Sequence, residues 1–389
     1  MRSLRAGAVA VVLALAALLA LVTPARALER NFAGSAQLDY HFVPTARDAK
    51  AFPSTFDGFT MEFAGKLAVD FSEHVSANMK ICFGCHGFEA DMMYFDVRVA
   101  DELNFRVGRF SPSFGAFNLR HDPANHRLSD KPLPYDMGRM LRLRQWNMSV
   151  LPSPFPDNGV EINGTKWLGK DVQLDYAAYG VMGFKADNNP LDIDFRLNRS
   201  PQTYYVDQNA RPTWGGRVAL TFRLADTSDL TLGGSSMFGW YDPRNEETYW
   251  IYGGDATLRF DHTNIRAEYL ARRTSFSTAD KNVFKYVVPD QRGDFFMKHG
   301  AYVEVEQALT SELDLIGRVD GMYREGNVEQ TSELSARSSV YRYTLGTAYA
   351  IERGLRLKLS TELWNFSHRE ANTGRKTELS MHVSLAGSF

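Results

Sequence analysis

Only two cysteines occur in this chain of 389 residues, and both lie in the heptapeptide "ICFGCHG" at 81–87. Cys82, Cys85 and His86 form C-x-x-C-H. Two thiols at this spacing reach the two vinyl groups of a haem, and the adjacent imidazole then lies beneath the iron. The motif therefore predicts a covalent c-type haem attached through Cys82 and Cys85, with His86 as the axial ligand to the haem iron. His121 and His126, in "RHDPANH", are the candidate distal ligands, with Met137 and Met140 as alternatives. His262 falls in a predicted turn and His382 in the last strand, so neither reads as a ligand. Two other chemistries stay open: a small disulfide loop in an oxidising compartment, or a metal or redox pair with His86 as a further ligand. A disulfide explains the cysteines but leaves the histidine without a role.

The elements that must position these residues follow from address and periodicity. Arg2 and Arg5 precede an apolar run from Ala6 to Val22, followed by Pro24 and an Ala25-Arg26-Ala27 cleavage pattern. Residues 1–27 therefore read as a secretory signal peptide. Losing Arg2, Arg5 and Arg26 moves the net charge from −2 to −5. This mild acidity argues against a nucleic-acid partner, which would meet a basic patch. Within 28–389 the pattern repeats every two residues. Leu379, Met381, Val383 and Leu385 share one face of the last segment, with Glu378, Ser380, His382 and Ser384 on the other. "GLRLKLSTELWNF" (354–366) and "NIRAEYLARR" (264–273) alternate in the same way, with charges on the second face.

These strands run about ten residues or more, and aromatics recur near their ends at Trp240, Tyr241, Trp250, Tyr252, Tyr323, Trp364 and Phe366. Short turns alternate with long connections at 44–57, 111–157, 184–212, 275–294 and 326–337. The expected fold is all-β: a transmembrane antiparallel β-barrel of about sixteen strands, with fourteen to eighteen allowed by the weak individual signals. Its short turns are periplasmic, its long loops are outside, and outer-membrane lipid surrounds it. The connection holding ICFGCHG is the exception, short but on the long-loop side.

Two stretches carry a family resemblance. "LNFRVGRFSPSFGAFN" (103–118) and "PFPDNGVEINGTKWLGKDVQLDYAAYGVMG" (154–183) resemble the phosphate-selective porin O and P family, and the terminal Phe389 resembles an outer-membrane assembly signal. The resemblance implies a sixteen-stranded porin, often a homotrimer, whose third outer loop folds inward and narrows the pore. That loop, 111–157, offers Arg120, Arg127, Lys131, Arg139, Arg142 and Arg144 to a passing anion, against Asp122, Asp130, Asp136 and Asp157. Within a low-dielectric wall such charges focus the field. The resemblance implies phosphate sites built from pore lysines and arginines, yet Lys131 is the loop's only lysine, so no lysine-rich ladder is matched.

The expected function is an outer-membrane channel for small solutes, anions among them, carrying one haem c and associated with electron transfer at the cell surface. The alternative is a plain porin whose Cys82–Cys85 pair is a disulfide. An apolar band about 25 Å tall is too thick for one haem to cross alone, so electron transfer would need multihaem cytochrome partners. No nucleophile–base pairing points to an enzyme.

Overall fold

The computed structural model describes residues 29–43, 58–84, 87–136, 149–151, 153, 155–186, 195, 205–277, 286–287, 295–326, 329–330, 339–366 and 376–389. Residues 1–27, read above as a signal peptide, lie outside the described residues.

The strands in chain order are β1 (Glu29–Phe42), β2 (Gly58–Asp70), β3 (Val75–Gly84), β4 (Gly87–Ala100), β5 (Leu103–Phe110) and β6 (Asp157–Trp167). They continue with β7 (Val172–Val181), β8 (Thr213–Ala225), β9 (Ser228–Trp240), β10 (Thr248–Phe260), β11 (Thr263–Ser275) and the two-residue β12 (Tyr286–Val287). The last are β13 (Phe295–Ala308), β14 (Leu313–Gly326), the two-residue β15 (Glu329–Gln330), β16 (Ser339–Glu352), β17 (Leu355–Phe366) and β18 (Thr377–Ser388). Sixteen of them close into one barrel of antiparallel neighbours, while β12 and β15 pair with each other in the long loops.

The ring closes where β18 returns to β1, with Leu38 opposite Leu385 and His41 opposite His382. Phe389 extends that seam by exchanging backbone hydrogen bonds with Gly34 at 2.9 and 3.1 Å. Closure is the physical requirement, because hydrocarbon cannot hydrogen-bond an open sheet edge.

The alternation places the charges inside. Val303, Val319, Leu345, Leu359, Leu363, Met381 and Val383 face outward and are exposed. Their neighbours Glu304, Arg318, Arg342, Lys358, Glu362 and His382 point into the lumen and are buried. At the long-loop end, Phe238–Trp240 and Trp250–Tyr252 form close outward pairs, with ring centroids 5.0 and 4.7 Å apart. At the short-turn end the belt is phenylalanine, as in Phe32–Phe389 and Phe71–Phe95. Tyr241, Trp364 and Phe366 depart from the expected girdle. All three are buried inside, and the Trp364 indole donates to Glu362 and Ser380 at 3.1 Å. Strand-end position alone does not distinguish girdle from lumen; parity does.

The β3–β4 hairpin explains the weak point in the loop alternation. Gly84 pairs with Gly87, leaving residues 85 and 86 as the whole connection. Asp91 is an extra residue in β4 where the register shifts, and this bulge turns its carboxylate inward to Lys80 and Cys82.

Replacing the outward Val319 by Arg should destabilise the folded barrel by about 2–4 kcal/mol, since a charge would face mid-bilayer. Urea unfolding in lipid vesicles measures this. Its neighbour Arg318 is tolerated because it faces the lumen.

Candidate functional site: the third outer loop and the lumen

The connection from β5 to β6 does not stand outside the barrel. From Ser111 to Tyr135 it runs through the lumen, and Phe114, Phe117, Leu128, Leu133 and Tyr135 are buried within it. Among the described residues of this proline-rich connection, regular structure is limited to two short helical turns, Asn118–Arg120 and Pro123–Asn125. Backbone groups left unpaired in this way need partners, and the wall supplies them. Gly115, at φ +64°, turns the chain so that its N–H reaches Ser235 at 3.0 Å. The next N–H, of Ala116, reaches Glu268 at 2.9 Å. Any Cβ at Gly115 would meet the Tyr135 hydroxyl.

Farther along, wall cations clamp the loop's acids and carbonyls. Lys80 bonds Asp122 at 2.7 Å, and Lys66 pairs with the same carboxylate. Arg318 bonds Asp130 at 2.6 Å, and Arg342 takes its other oxygen. Arg342 also bonds the Lys131 carbonyl at 2.7 Å and Asp320 at 2.5 Å, with its guanidinium 4.9 Å above the Trp364 ring. The ammonium of Lys358 is buried among neutral oxygens: the carbonyls of Pro123 at 2.7 Å and Leu128 at 3.2 Å, and Gln37 at 2.9 Å. The strap is thus fastened from β1, β3, β14, β16 and β17 together.

The residues singled out from sequence fall into two groups. Cys85, His86, Met137, Arg139, Met140, Arg142 and Arg144 lie outside the described residues. The others are placed, and all are engaged. Cys82 is a free thiol facing inward, with Sγ 3.5 Å from Asp91. Arg120 lies over Phe117 and donates to the Tyr302 hydroxyl at 3.4 Å. Arg127 pairs with Asp314 at 2.8 Å, and Lys131 donates to the Ser153 carbonyl at 3.1 Å.

His121 is brought into the Cys82 neighbourhood. Its Nδ1–H donates to the Asn118 carbonyl at 2.7 Å, and its Nε2 accepts from Lys80 Nζ at 2.7 Å. Lys80 in turn bonds Asp91, the partner of Cys82, at 3.0 Å. His126 is buried beside Phe117 and donates through Nδ1 to the Leu128 carbonyl at 2.8 Å. Burial and the nearby Lys80 push the His121 imidazole down to about 3, and burial with Lys358 lowers His126 as well. Both rings are neutral.

The charged groups around Cys82 are Asp91, Lys80, Asp122 and Glu62.

Sequence reading missed the wall cations. Arg272, Lys298 and Arg324 stand directly opposite one another on β11, β13 and β14, all buried in the lumen. The three share one register in the outer half of the pore, each with partners of its own. Inward parity on each strand was the available signal, but the register joining the three was not.

Two open spaces are described. A vestibule of about 580 Å³ at the short-turn end is bordered by Asp70, Glu73, Asp96, Asp101 and Arg106. Above it a cavity of about 370 Å³ reaches from Arg106 to the roof formed by Asn118–Asp122.

No protein-family model matches the sequence, and no curated protein matches it. Solved structures do resemble its fold. The outer membrane channel DcaP of Acinetobacter baumannii superposes with a TM-score of 0.57 at 10% identity, covering 95% of this chain and 100% of that one. An anion-selective porin from Comamonas acidovorans gives 0.57 at 9% identity, covering 93% and 100%. OmpF of Salmonella typhi gives 0.54 at 8% identity, covering 92% and 97%. The fold is that of an outer-membrane porin.

Two outcomes follow from the strap. Asp130→Asn leaves Arg318 and Arg342 short of a buried partner and should cost about 3–5 kcal/mol of loop anchoring, seen as raised, flickering single-channel conductance. Acidification should loosen the same loop. With its pKa depressed in the fold, neutral His121 contributes stability that is complete above the unfolded value near 6.5 and is lost as pH falls toward 3. Asp122, held below the usual carboxylate range, stays ionised through most of that window. Conductance noise recorded from pH 7 to pH 4 should rise, and less so in His121→Gln.

Proposed function

We propose that this protein is a passive channel of the bacterial outer membrane for small hydrophilic solutes, its lumen narrowed by the third outer loop. One observation carries the reading: a closed barrel, apolar outside and charged inside, is crossed by a loop fastened to Lys80, Arg318, Arg342 and Lys358. A structure built only for rigidity needs no ionised interior, whereas a water-filled route does. No catalytic role is part of the proposal.

Kinship with the phosphate-selective porin O and P family is a narrower part of it, supported by the sequence of β5 with the start of the loop and of the β6–β7 hairpin. So is a preference for anions, supported by the Arg272, Lys298 and Arg324 row; against it, most described lumen charges stand in pairs of opposite sign. Purified protein in planar bilayers should give uniform conductance steps, with a reversal potential in a KCl gradient displaced toward that of chloride. Absence of steps would overturn the channel, and a displacement toward potassium would overturn only the anion preference.

Covalent haem is the second reading. It rests on C-x-x-C-H, on the inward Cys82 and on the hairpin connection that holds the other two residues. Multihaem partners would be required with it. A haem stain on a denaturing gel, after expression with c-type maturation machinery, decides it. A coloured band absent from Cys82→Ala/Cys85→Ala supports the haem, and a colourless wild-type band eliminates it.

A further inference from the structure

The cavity of about 370 Å³ beneath the loop is of a size that takes a small ligand. Its lining combines two features that a simple ion route does not need. The first is an apolar patch. The other large apolar residues of the strap that are described (Phe114, Phe117, Leu128 and Leu133) are at most 2% exposed, but Leu119 is 52% exposed and lines this cavity. Facing the same space are Tyr94 and Met92, and Tyr94 packs edge to face on the fully buried Phe110 at 6.4 Å. A half-exposed leucine is ordinary on a surface; in the lumen beside aromatic rings it forms an apolar wall open to solute.

The second feature is that charge here comes as opposed pairs. At the roof, Asp122 is shared by Lys66, whose side chain is 47% exposed, and the buried Lys80, while the carboxylate itself is 7% exposed. In the floor, Arg106 is paired with Asp96 at 2.8 Å, with its guanidinium 4.7 Å above the Tyr94 ring. A solute anion would gain Lys66 but meet Asp122 beside it, and a solute cation would meet the lysine. A molecule carrying both charges side by side matches the roof pair in both signs and can lay an apolar body on Leu119 and Tyr94. We infer that this cavity is a binding subsite for zwitterionic solutes with an apolar side chain, of the class of free apolar amino acids. The inference rests on the channel reading and names a class of its solutes.

The test uses the full protein in planar bilayers under KCl, with four probes: L-phenylalanine, 3-phenylpropionate, phenethylamine and glycine. L-Phenylalanine should reduce the current saturably, and each of the others should need at least about tenfold more. Leu119→Ser should weaken the phenylalanine effect about tenfold through lost apolar contact, and Lys66→Gln should weaken it while sparing phenethylamine. Equal or stronger block by 3-phenylpropionate makes the site an anion site, and by phenethylamine a cation site; equal block by glycine removes the apolar wall. Each of these overturns the inference while leaving the channel intact. Calorimetric titration of the detergent-solubilised protein with the same four compounds gives a second readout. Should no KCl current appear, the channel reading fails, and the same ranking in the titration still decides whether the subsite exists.

Discussion

Arg342 is the point on which the interior depends. It is fully buried, on the inner face of β16, and it touches the strap at Asp130 and the Lys131 carbonyl, the wall at Asp320 and Glu362, and the face of Trp364. A guanidinium has five donors in a rigid plane, so it can hold two acceptors on each edge while an aromatic ring covers its face. A lysine at the same place would be a point charge without that reach. Placing such a group out of water is costly unless every partner is present, and the partners here come from elements far apart in sequence. The strap cannot leave without exposing the wall's charges to one another.

The same requirement accounts for the inverted distribution of polarity. Hydrocarbon outside forces the backbone into a closed ladder and leaves apolar side chains on the outer face. The lumen then receives the ionised residues of the inner strand faces, and it becomes tolerable only where they pair. Lys80 with Asp91, Arg217 with Asp255, and Arg266 with Glu306 are local solutions. The strap is the long-range one, and its own backbone N–H groups also bond Glu268 and Glu161.

The described cavities lie beneath the Asn118–Asp122 segment of the strap, against β1–β6, where Asp122 is bonded to Lys66 and Lys80. Charged and aromatic side chains such as Lys66, Arg106 and Tyr94 line this side of the lumen.

The chain's own pattern was enough for the fold. A period of two with charge on one face, short and long connections in alternation, and aromatics near strand ends fix a closed sheet of about this size, because few structures satisfy a backbone in lipid. Local chemistry was legible in the same way: C-x-x-C-H names its candidate haem ligands. Tertiary structure alone decided the partners. Parity tells that Lys80, Arg318 and Arg342 face inward, but not that they meet Asp122 and Asp130, residues 42 and 188–212 positions away along the chain. Register decided that Arg272, Lys298 and Arg324 stand in a row, whereas the inward turn of Trp364 and Phe366 follows from parity. Of the loop arginines read from sequence, those described have partners that sequence does not name: Arg120 bonds Tyr302 and Arg127 pairs with Asp314. A charge pairs with whatever the fold brings within a few ångströms, and that distance is not a property of sequence separation.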